Sequence, residues 1–163
     1  MEPETPVATA TNVEAPRGMY PARLDDKGRL KLPATFQQFF ANLGERKLFV
    51  TSLDRRIAQI YPMAIWRQNE IFFESYREDP ELAENVAFNA ADLGAEAEMD
   101  SQGRITVNPD LRRELNLEGQ ELHLFAYKGR VEILNETLYR ERKQSAMQEP
   151  RKAQAALERA GLR

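Results

Sequence analysis

The 163-residue sequence contains no cysteine and only one histidine, His123. The lack of cysteine excludes a disulfide framework and any thiolate chemistry. No apolar run approaches the roughly 20 residues that a membrane helix needs, and the first residues lack the basic and apolar pattern of a secretion signal. We therefore expect a cytoplasmic protein with no membrane partner.

Groups suited to catalysis are also scarce. His123 lies inside a strand pattern, with no acid, serine or second histidine at catalytic or metal-binding spacing, which favours a structural role. The sequence has no glycine-rich phosphate loop and no nucleophile elbow. Asp25, Asp26 and Asp100 could suggest a paired-carboxylate hydrolase or magnesium site, but adjacent arginines and turn positions argue against one. We expect no enzyme, cofactor, metal site or small-molecule substrate.

The net charge of −3 hides an uneven distribution of charge along the chain. Residues 17–31 carry +3, residues 68–100 carry −9 and residues 139–163 carry +4. Distribution decides affinity for nucleic acid more than the total does, so a basic face is expected near the start of the chain. A solvated charge pattern with no partner would look similar.

An internal repeat is the main pattern in the sequence. Residues 24–36 (LDDKGRLKLPATF) align without gaps with residues 99–111 (MDSQGRITVNPDL), at an offset of 75 residues. Both copies read Asp-x-x-Gly-Arg, flanked by apolar residues in the same phase. Gly28 and Gly103 fall where the chain must reverse, a place that glycine tolerates best. Asn108 and Pro109 then predict the start of a short helix.

The repeat extends into a unit of strand, glycine turn, strand, short helix, strand, turn and strand. Its later strands are expected at residues 47–51 and 57–61 in the first copy, and at residues 121–126 and 131–134 in the second. One such unit has about 45 residues, too few for an independent core. The two units are therefore expected to pack about a pseudo-twofold axis, the strands of each completing the sheet of the other.

Five segments are expected along the chain. They are a disordered extension (1–16), a first unit (17–64), a helical linker (65–93), a second unit (94–138) and a charged C-terminal helix or tail (139–163). Trp66, Phe72, Phe73 and Tyr76 have helical spacing, which favours core or subunit-interface packing over a base-stacking platform. The tail is open to two interpretations, a solvated helix or a source of nonspecific DNA contacts.

The segments 17–20 (RGMY) and 24–33 (LDDKGRLKLP) resemble the start of the MraZ family, bacterial regulators of the AbrB/SpoVT swapped-hairpin superfamily. Residues 94–100, 103–105 and 111–112 resemble the family's second half, as do Tyr61, Pro62 and Trp66. The resemblance covers roughly residues 17–140, and its paired Asp-x-x-x-Arg motifs are quite specific.

The resemblance implies an α+β, mainly β fold, with two tandem AbrB/SpoVT-type swapped-hairpin units that form a pseudo-twofold double-ψ-like barrel. It also implies a homo-oligomeric ring of eight or more subunits. Its partner would be double-stranded promoter DNA with direct repeats, upstream of its own division and cell-wall operon. The protein would repress that operon through basic hairpin loops, and it would be found at the nucleoid.

The expected DNA-binding residues are Arg17, Arg23, Lys27, Arg29, Lys31, Gln102, Arg104 and Arg112. Asp25, Gly28, Asp100 and Gly103 are expected to structure the loops. Arg29 and Arg104 can grip a phosphate or a guanine edge, or form an ion pair with the aspartate four residues earlier. Both interpretations hold together if the carboxylate fixes the arginine in its binding pose.

The chain departs from the family pattern at several positions. Gln37 replaces an arginine that its counterpart Arg112 retains, and the second loop, Ser101-Gln102, lacks a lysine. Glu84, Asn85 and Asn89 stand where family members often carry basic residues. These departures motivate an alternative, a structural or protein-interaction oligomer of the same fold with weak or no DNA binding. An antitoxin-like regulator is a further alternative, against which the fused duplicate argues.

Overall fold

The computed structural model describes residues 13–163, so residues 1–12 of the expected extension lie outside the described part. Val13 and Ala15, the next residues of that extension, are partly buried against the main apolar core. The packed part of the chain therefore begins before Arg17, where the first unit was expected to start.

Eight strands and six helices follow one another in the described part. The first unit contains β1 (Tyr20–Ala22), β2 (Arg29–Lys31), α1 (Ala34–Ala41), β3 (Lys47–Thr51) and β4 (Ala58–Pro62). The linker contains α2 (Met63–Ser75) and α3 (Pro80–Leu93). The second unit contains β5 (Ala95–Glu98), β6 (Arg104–Thr106), α4 (Pro109–Glu114), β7 (Leu122–Tyr127) and β8 (Arg130–Leu134), and the tail contains α5 (Glu136–Ala146) and α6 (Pro150–Ala160). None of the helices within residues 13–163 has both the length and the apolar character needed to cross a membrane.

The α+β class is confirmed, but the expectation of a mainly β fold is wrong, because helical residues outnumber strand residues. The linker and the tail each form two helices, and these four elements contribute most of the helical residues. In the linker the break falls at Asp79, whose side chain accepts a hydrogen bond from the Leu82 amide at 3.2 Å. Pro80 in the first turn of α3 strengthens that start.

The strand pairings join the two units. The larger sheet is antiparallel in the order β1-β7-β8-β4-β3-β5, and β2 pairs with β6 in a separate ribbon. The first strand of each unit lies in the sheet beside the other unit's strand, β1 on β7 and β5 on β3. Within residues 13–163 the outer strands β1 and β5 do not pair with each other, so these pairings do not close a barrel.

The registers place a local twofold axis through both sheets. In the ribbon, Leu30 pairs with Ile105, its own counterpart 75 residues later in the repeat. Where β4 meets β8, Gln59 pairs with Glu132, which occupies the matching place in the second unit. A residue faces its own counterpart only on a twofold axis, so the repeat in the sequence corresponds to a symmetry of the fold.

The short helices α1 and α4 bury apolar residues at matching positions of the repeat. Phe36 on α1 and its counterpart Leu111 on α4 are fully buried in the main core, and burying a side chain of this size contributes about 1.5–3 kcal/mol. Trp66 on α2 begins a second cluster, where it stacks on Phe49 with ring centroids 4.6 Å apart. The core interpretation of Trp66 is confirmed, whereas Phe72 on the same helix is 56% exposed.

Candidate nucleic-acid interface

The first hairpin loop, residues 25–28, is organised by the Asp25 carboxylate. It accepts hydrogen bonds from the backbone amides of Lys27 and Arg29, both at 2.9 Å, and from Nε of Arg29 at 2.7 Å. The Gly28 amide donates to the Asp25 carbonyl at 3.0 Å, which closes the turn. Gly28 has φ of +77°, a conformation that glycine adopts without steric cost.

The second loop, residues 100–103, repeats this arrangement. Asp100 accepts hydrogen bonds from the amides of Gln102 and Arg104 and from Nε of Arg104, all at 2.9 Å. Each aspartate therefore accepts three hydrogen bonds from donors of its own hairpin. The ion pair of each arginine with its aspartate uses only Nε. Within residues 13–163, the terminal guanidinium nitrogens of Arg104 donate no hydrogen bond to protein.

Both loop aspartates have a pKa below the ordinary value. The main cause at Asp25 is the hydrogen bond from the Arg29 backbone amide, supported by the Arg29 side chain against a partial desolvation that acts in the opposite direction. Asp100 has a lowered pKa for the same reasons, led by the Arg104 amide. Both carboxylates are therefore ionised at neutral pH and hold their arginines in place.

The β2–β6 ribbon has one buried face and one outward face. Successive strand residues point to opposite sides, and Leu30 and Ile105 on the inner side are essentially inaccessible to solvent. The outward face therefore carries Arg29, Lys31, Arg104 and Thr106. Three of these four side chains are basic. The arginines are a quarter exposed, with 28% and 24% of their side chains accessible.

The two loops lie at opposite ends of this ribbon. The carbonyl of Gly28 accepts a hydrogen bond from the Val107 amide at 2.9 Å, and the carbonyl of Gly103 accepts one from the Leu32 amide at 3.0 Å. Gly28 and Leu32 flank β2 and are four residues apart in extended chain, which places the two loops about 13 Å from each other. The ribbon and its loops thus form one continuous surface, which we call the ribbon face.

Arg23 and Arg17 lie at increasing distance along the chain from the ribbon. Arg23 is exposed and lines a shallow groove together with Lys31 and Gln37. Arg17 precedes β1, and its exposed guanidinium forms an ion pair with Glu14 at 3.1 Å. The structure therefore brings Arg23 to the edge of the ribbon face and gives no contact between Arg17 and that face among the described residues.

Arg112, another expected DNA-binding residue, lies behind the first loop. Only 12% of its side chain is exposed, and its guanidinium donates to the Val107 carbonyl at 2.8 Å and to Glu118 at 3.1 Å. It packs so closely on Gly28 that a Cβ there would lie 1.6 Å from its Nη1. This position suits a support for the loop better than a direct contact with DNA.

Gln37, the counterpart of Arg112, supports the second loop in the same way. Its Nε2 donates to the Leu32 carbonyl at 2.7 Å, and its amide packs where a Cβ of Gly103 would lie. Gln37 therefore occupies the same place behind the second loop that Arg112 occupies behind the first, but it is uncharged.

Sequence reasoning missed Arg55, which joins the linker to the second unit. Its guanidinium donates to Glu114 and Asp92, each at 2.6 Å, and to Asn89 at 2.8 Å. The hydrogen bonds to Glu114 and then to Asp92 raise the pKa of Arg55 above its ordinary value. These partners lie 34 to 59 residues away in sequence, so no local pattern could have indicated them.

His123 is used inside the protein. Its Nε2 lies 3.0 Å from a Glu136 oxygen, and its ring stacks on Tyr139 with centroids 3.7 Å apart. This hydrogen bond is the main cause of the lowered pKa of Glu136. These contacts join β7 to α5 and agree with the structural role expected of His123. Among residues 13–163, no three histidine, aspartate or glutamate side chains are grouped as metal ligands.

Comparison with known proteins shows which family the chain resembles. The family model described as "MraZ protein, putative antitoxin-like" matches residues 93–160. The chain is 30% identical over 125 residues to Transcriptional regulator MraZ of Acidobacterium capsulatum, an alignment that covers 77% of this chain and 85% of that protein. It is 33% identical to the protein of the same name from Koribacter versatilis, covering 64% of this chain and 71% of that protein. It is 39% identical to the protein of that name from Mycobacterium tuberculosis, covering 61% of this chain and 67% of that protein.

Proposed function

This chain belongs to the MraZ family of transcriptional regulators, and we propose that it is a sequence-specific DNA-binding repressor. In this proposal it binds direct repeats in the double-stranded DNA upstream of its own division and cell-wall operon. Its place of action in the cell would then be the nucleoid.

The ribbon face is the observation that carries this proposal. The major groove of B-DNA is about 12 Å wide and admits a two-stranded β-ribbon. Here an exposed ribbon bears three basic side chains among its four outward positions, with a loop at each end. With the loop aspartates included, residues 25–31 and 100–106 carry four cationic and three anionic side chains, a small net positive charge in a chain of net charge −3 that favours an anionic partner.

The roles within the ribbon face follow from side-chain chemistry. Arg29 and Arg104 are held by Nε, which leaves the terminal nitrogens to bind a guanine edge or a phosphate. Lys27 and Lys31, with Arg23 beside them, are suited to phosphates, which position the protein without reading sequence. The exposed side chain of Gln102 offers the donor and acceptor pair that recognises adenine.

We also propose that the exchange of strands between the units is the swapped-hairpin arrangement of the AbrB/SpoVT superfamily. Its support is the pairing of β1 with β7 and of β5 with β3. In this assignment the two units occupy residues 17–64 and 94–138. The linker between them occupies residues 65–93, and the tail occupies residues 139–163. Gln102 and Arg17 would contact DNA from the second loop and from the segment before β1.

The proposed assembly is a ring of eight or more subunits. Its support is the set of large apolar side chains that remain exposed in the linker and the tail, namely Ile71, Phe72, Leu82, Phe88, Met147 and Leu157. Such exposure is typical of surfaces that bind another protein. A ring would place several ribbon faces along one duplex, so that weak contacts add. Light scattering on the purified protein should give a mass of at least eight times 18.7 kDa, and a monomer at micromolar concentration would contradict the ring.

The test of DNA binding is a fluorescence-anisotropy titration of the purified protein on its own upstream DNA and on a scrambled duplex, at two salt concentrations. We expect a clear preference for the upstream DNA and an affinity that falls steeply with salt, because each phosphate contact releases counterions. Equal binding to both duplexes would overturn sequence specificity. No binding by a well-folded oligomer would favour the protein-interaction alternative, and co-purification of a small partner protein would favour the antitoxin-like one.

A further inference from the structure

The two loops differ at their third residue. The first loop has Lys27 there, whereas the second has Gln102 and so lacks a cationic side chain. If both loops bind the DNA backbone, the second has one cationic side chain fewer with which to do so, although it also lacks a counterpart of the acidic Asp26. The ribbon register shows how the fold makes up this difference.

Lys31 lies next to the second loop, although it belongs to the first unit. It pairs across the ribbon with Arg104, and its Nζ donates a hydrogen bond to the backbone carbonyl of Gln102. The counterpart of Lys31 in the second unit is Thr106, which pairs with Arg29 beside the first loop. Each end of the ribbon therefore has one arginine and one lysine, but the lysine comes from a different position at each end.

We propose that Lys31 supplies the phosphate contact of the second loop and does there what Lys27 does at the first loop. An ammonium group has three donors, and the bond to the Gln102 carbonyl uses only one of them. The side chain is exposed, so the other two donors are open to a phosphate oxygen. This inference rests on the proposed DNA binding and deepens it, because it makes the second contact a composite of both repeats.

The composite gives both ends of the ribbon the same cationic side chains, whereas Asp26 of the first loop has an uncharged counterpart, Ser101, in the second. The axis through Leu30 and Ile105 relates the two ends of the ribbon, and with Lys31 included both ends present the same pair of cations. The lack of a lysine in the second loop is then no reason to expect weak DNA binding.

The test compares four variants with the wild type on the scrambled duplex, where the adenine contact proposed for Gln102 does not contribute and phosphate contacts remain. Lys31→Thr introduces the residue that β6 carries at the matching position, and Lys27→Gln introduces the residue of the second loop. For each subunit engaged on the duplex, either substitution should lower affinity about fivefold at 0.15 M salt and reduce the magnitude of the salt slope by about 0.9, as the loss of one phosphate contact requires. Gln102→Lys combined with Lys31→Thr should restore both quantities, and Gln102→Lys alone should strengthen binding.

Rescue separates a charge contact from mere support of the loop. A lysine side chain at position 102 replaces the charge of Lys31 but cannot replace its hydrogen bond to the Gln102 carbonyl. Two results would overturn this inference and leave the proposed function standing. In the first, Lys31→Thr weakens binding but the added Gln102→Lys does not restore it. In the second, Lys27→Gln weakens binding but Lys31→Thr does not. A wild type that ignores DNA would overturn both. The thermal unfolding midpoint of each variant checks that the fold is retained.

Discussion

Replacing both Arg29 and Arg104 by alanine should lower the affinity for upstream DNA by about a hundredfold or more, since each bidentate arginine contact with guanine contributes about 1–3 kcal/mol. The fold should be retained. The Asp25 carboxylate keeps two hydrogen bonds from backbone amides, which do not depend on the arginine side chain, and Asp100 keeps the equivalent pair. The lost ion pairs are themselves partly solvated and contribute little to stability.

The control for this double variant is Arg56→Ala with Arg67→Ala, which removes the same two charges elsewhere. Arg56 and Arg67 are more exposed, and each forms an ion pair with one glutamate, Glu141 or Glu45. Anisotropy titrations at fixed salt should show little change for this control. An equal loss of affinity in both double variants would mean that only net charge matters, and the ribbon face would then not be the DNA-binding surface.

Arginine-to-lysine replacement at the same two positions distinguishes base reading from phosphate binding. Lysine keeps the charge but lacks the planar fork that matches a guanine edge. The Lys variant should therefore retain most of its affinity for a scrambled duplex and lose its preference for the upstream DNA. Retained preference would assign the two arginines to phosphates.

Features that depend on local sequence could be predicted. The glycine turns, the cap formed by Asn108 and the burial of Phe36 and Leu111 each depend on a few neighbouring residues, and the structure contains all of them. The capped start at Asp79-Pro80 had the same kind of signal, yet the linker was predicted as one helical stretch. The mainly β expectation fits the two units alone, where strand residues outnumber helical ones, and the linker and tail helices reverse that balance.

Features that depend on distant pairs could not be predicted. Arg112 has the motif position of a DNA contact, and only the packing of α4 behind the first loop shows that its guanidinium is mostly buried against Gly28. The alignment of the repeat compares Lys31 with Thr106, whereas the fold places Lys31 beside Gln102, 71 residues away. Such pairs follow from strand exchange between units, which a comparison of one repeat with the other does not reveal.

Gly28→Ala should have the largest effect on stability of the substitutions considered, because the Arg112 side chain packs directly on Gly28 behind the first loop. Alanine in a left-handed conformation costs about 1–2 kcal/mol. Its Cβ would also displace the Arg112 guanidinium, which would lose its hydrogen bonds to Val107 and Glu118. We therefore expect the free energy of unfolding to fall by about 2–3 kcal/mol, within the range of damaging single substitutions.

Two other glycines of the chain separate the backbone cost from the cost of the displaced arginine. Gly119 has φ of +71°, and a Cβ added there would meet nothing within 4 Å, so Gly119→Ala should show the backbone cost alone, about 1–2 kcal/mol. Gly44 has neither a positive φ nor a close neighbour, and alanine there should be neutral or stabilise by up to about 1 kcal/mol. Urea unfolding at one protein concentration compares the three, because oligomerisation makes apparent stability depend on concentration.

Combining Gly28→Ala with Arg112→Ala completes the argument. The second substitution removes the side chain that the first one displaces, so the double variant should lose less stability than the sum of the two single variants, as expected for residues in contact. Strict additivity would show that Arg112 does not pack on Gly28. Equal losses for Gly28→Ala and Gly119→Ala would show that the backbone conformation alone makes glycine necessary in the first loop.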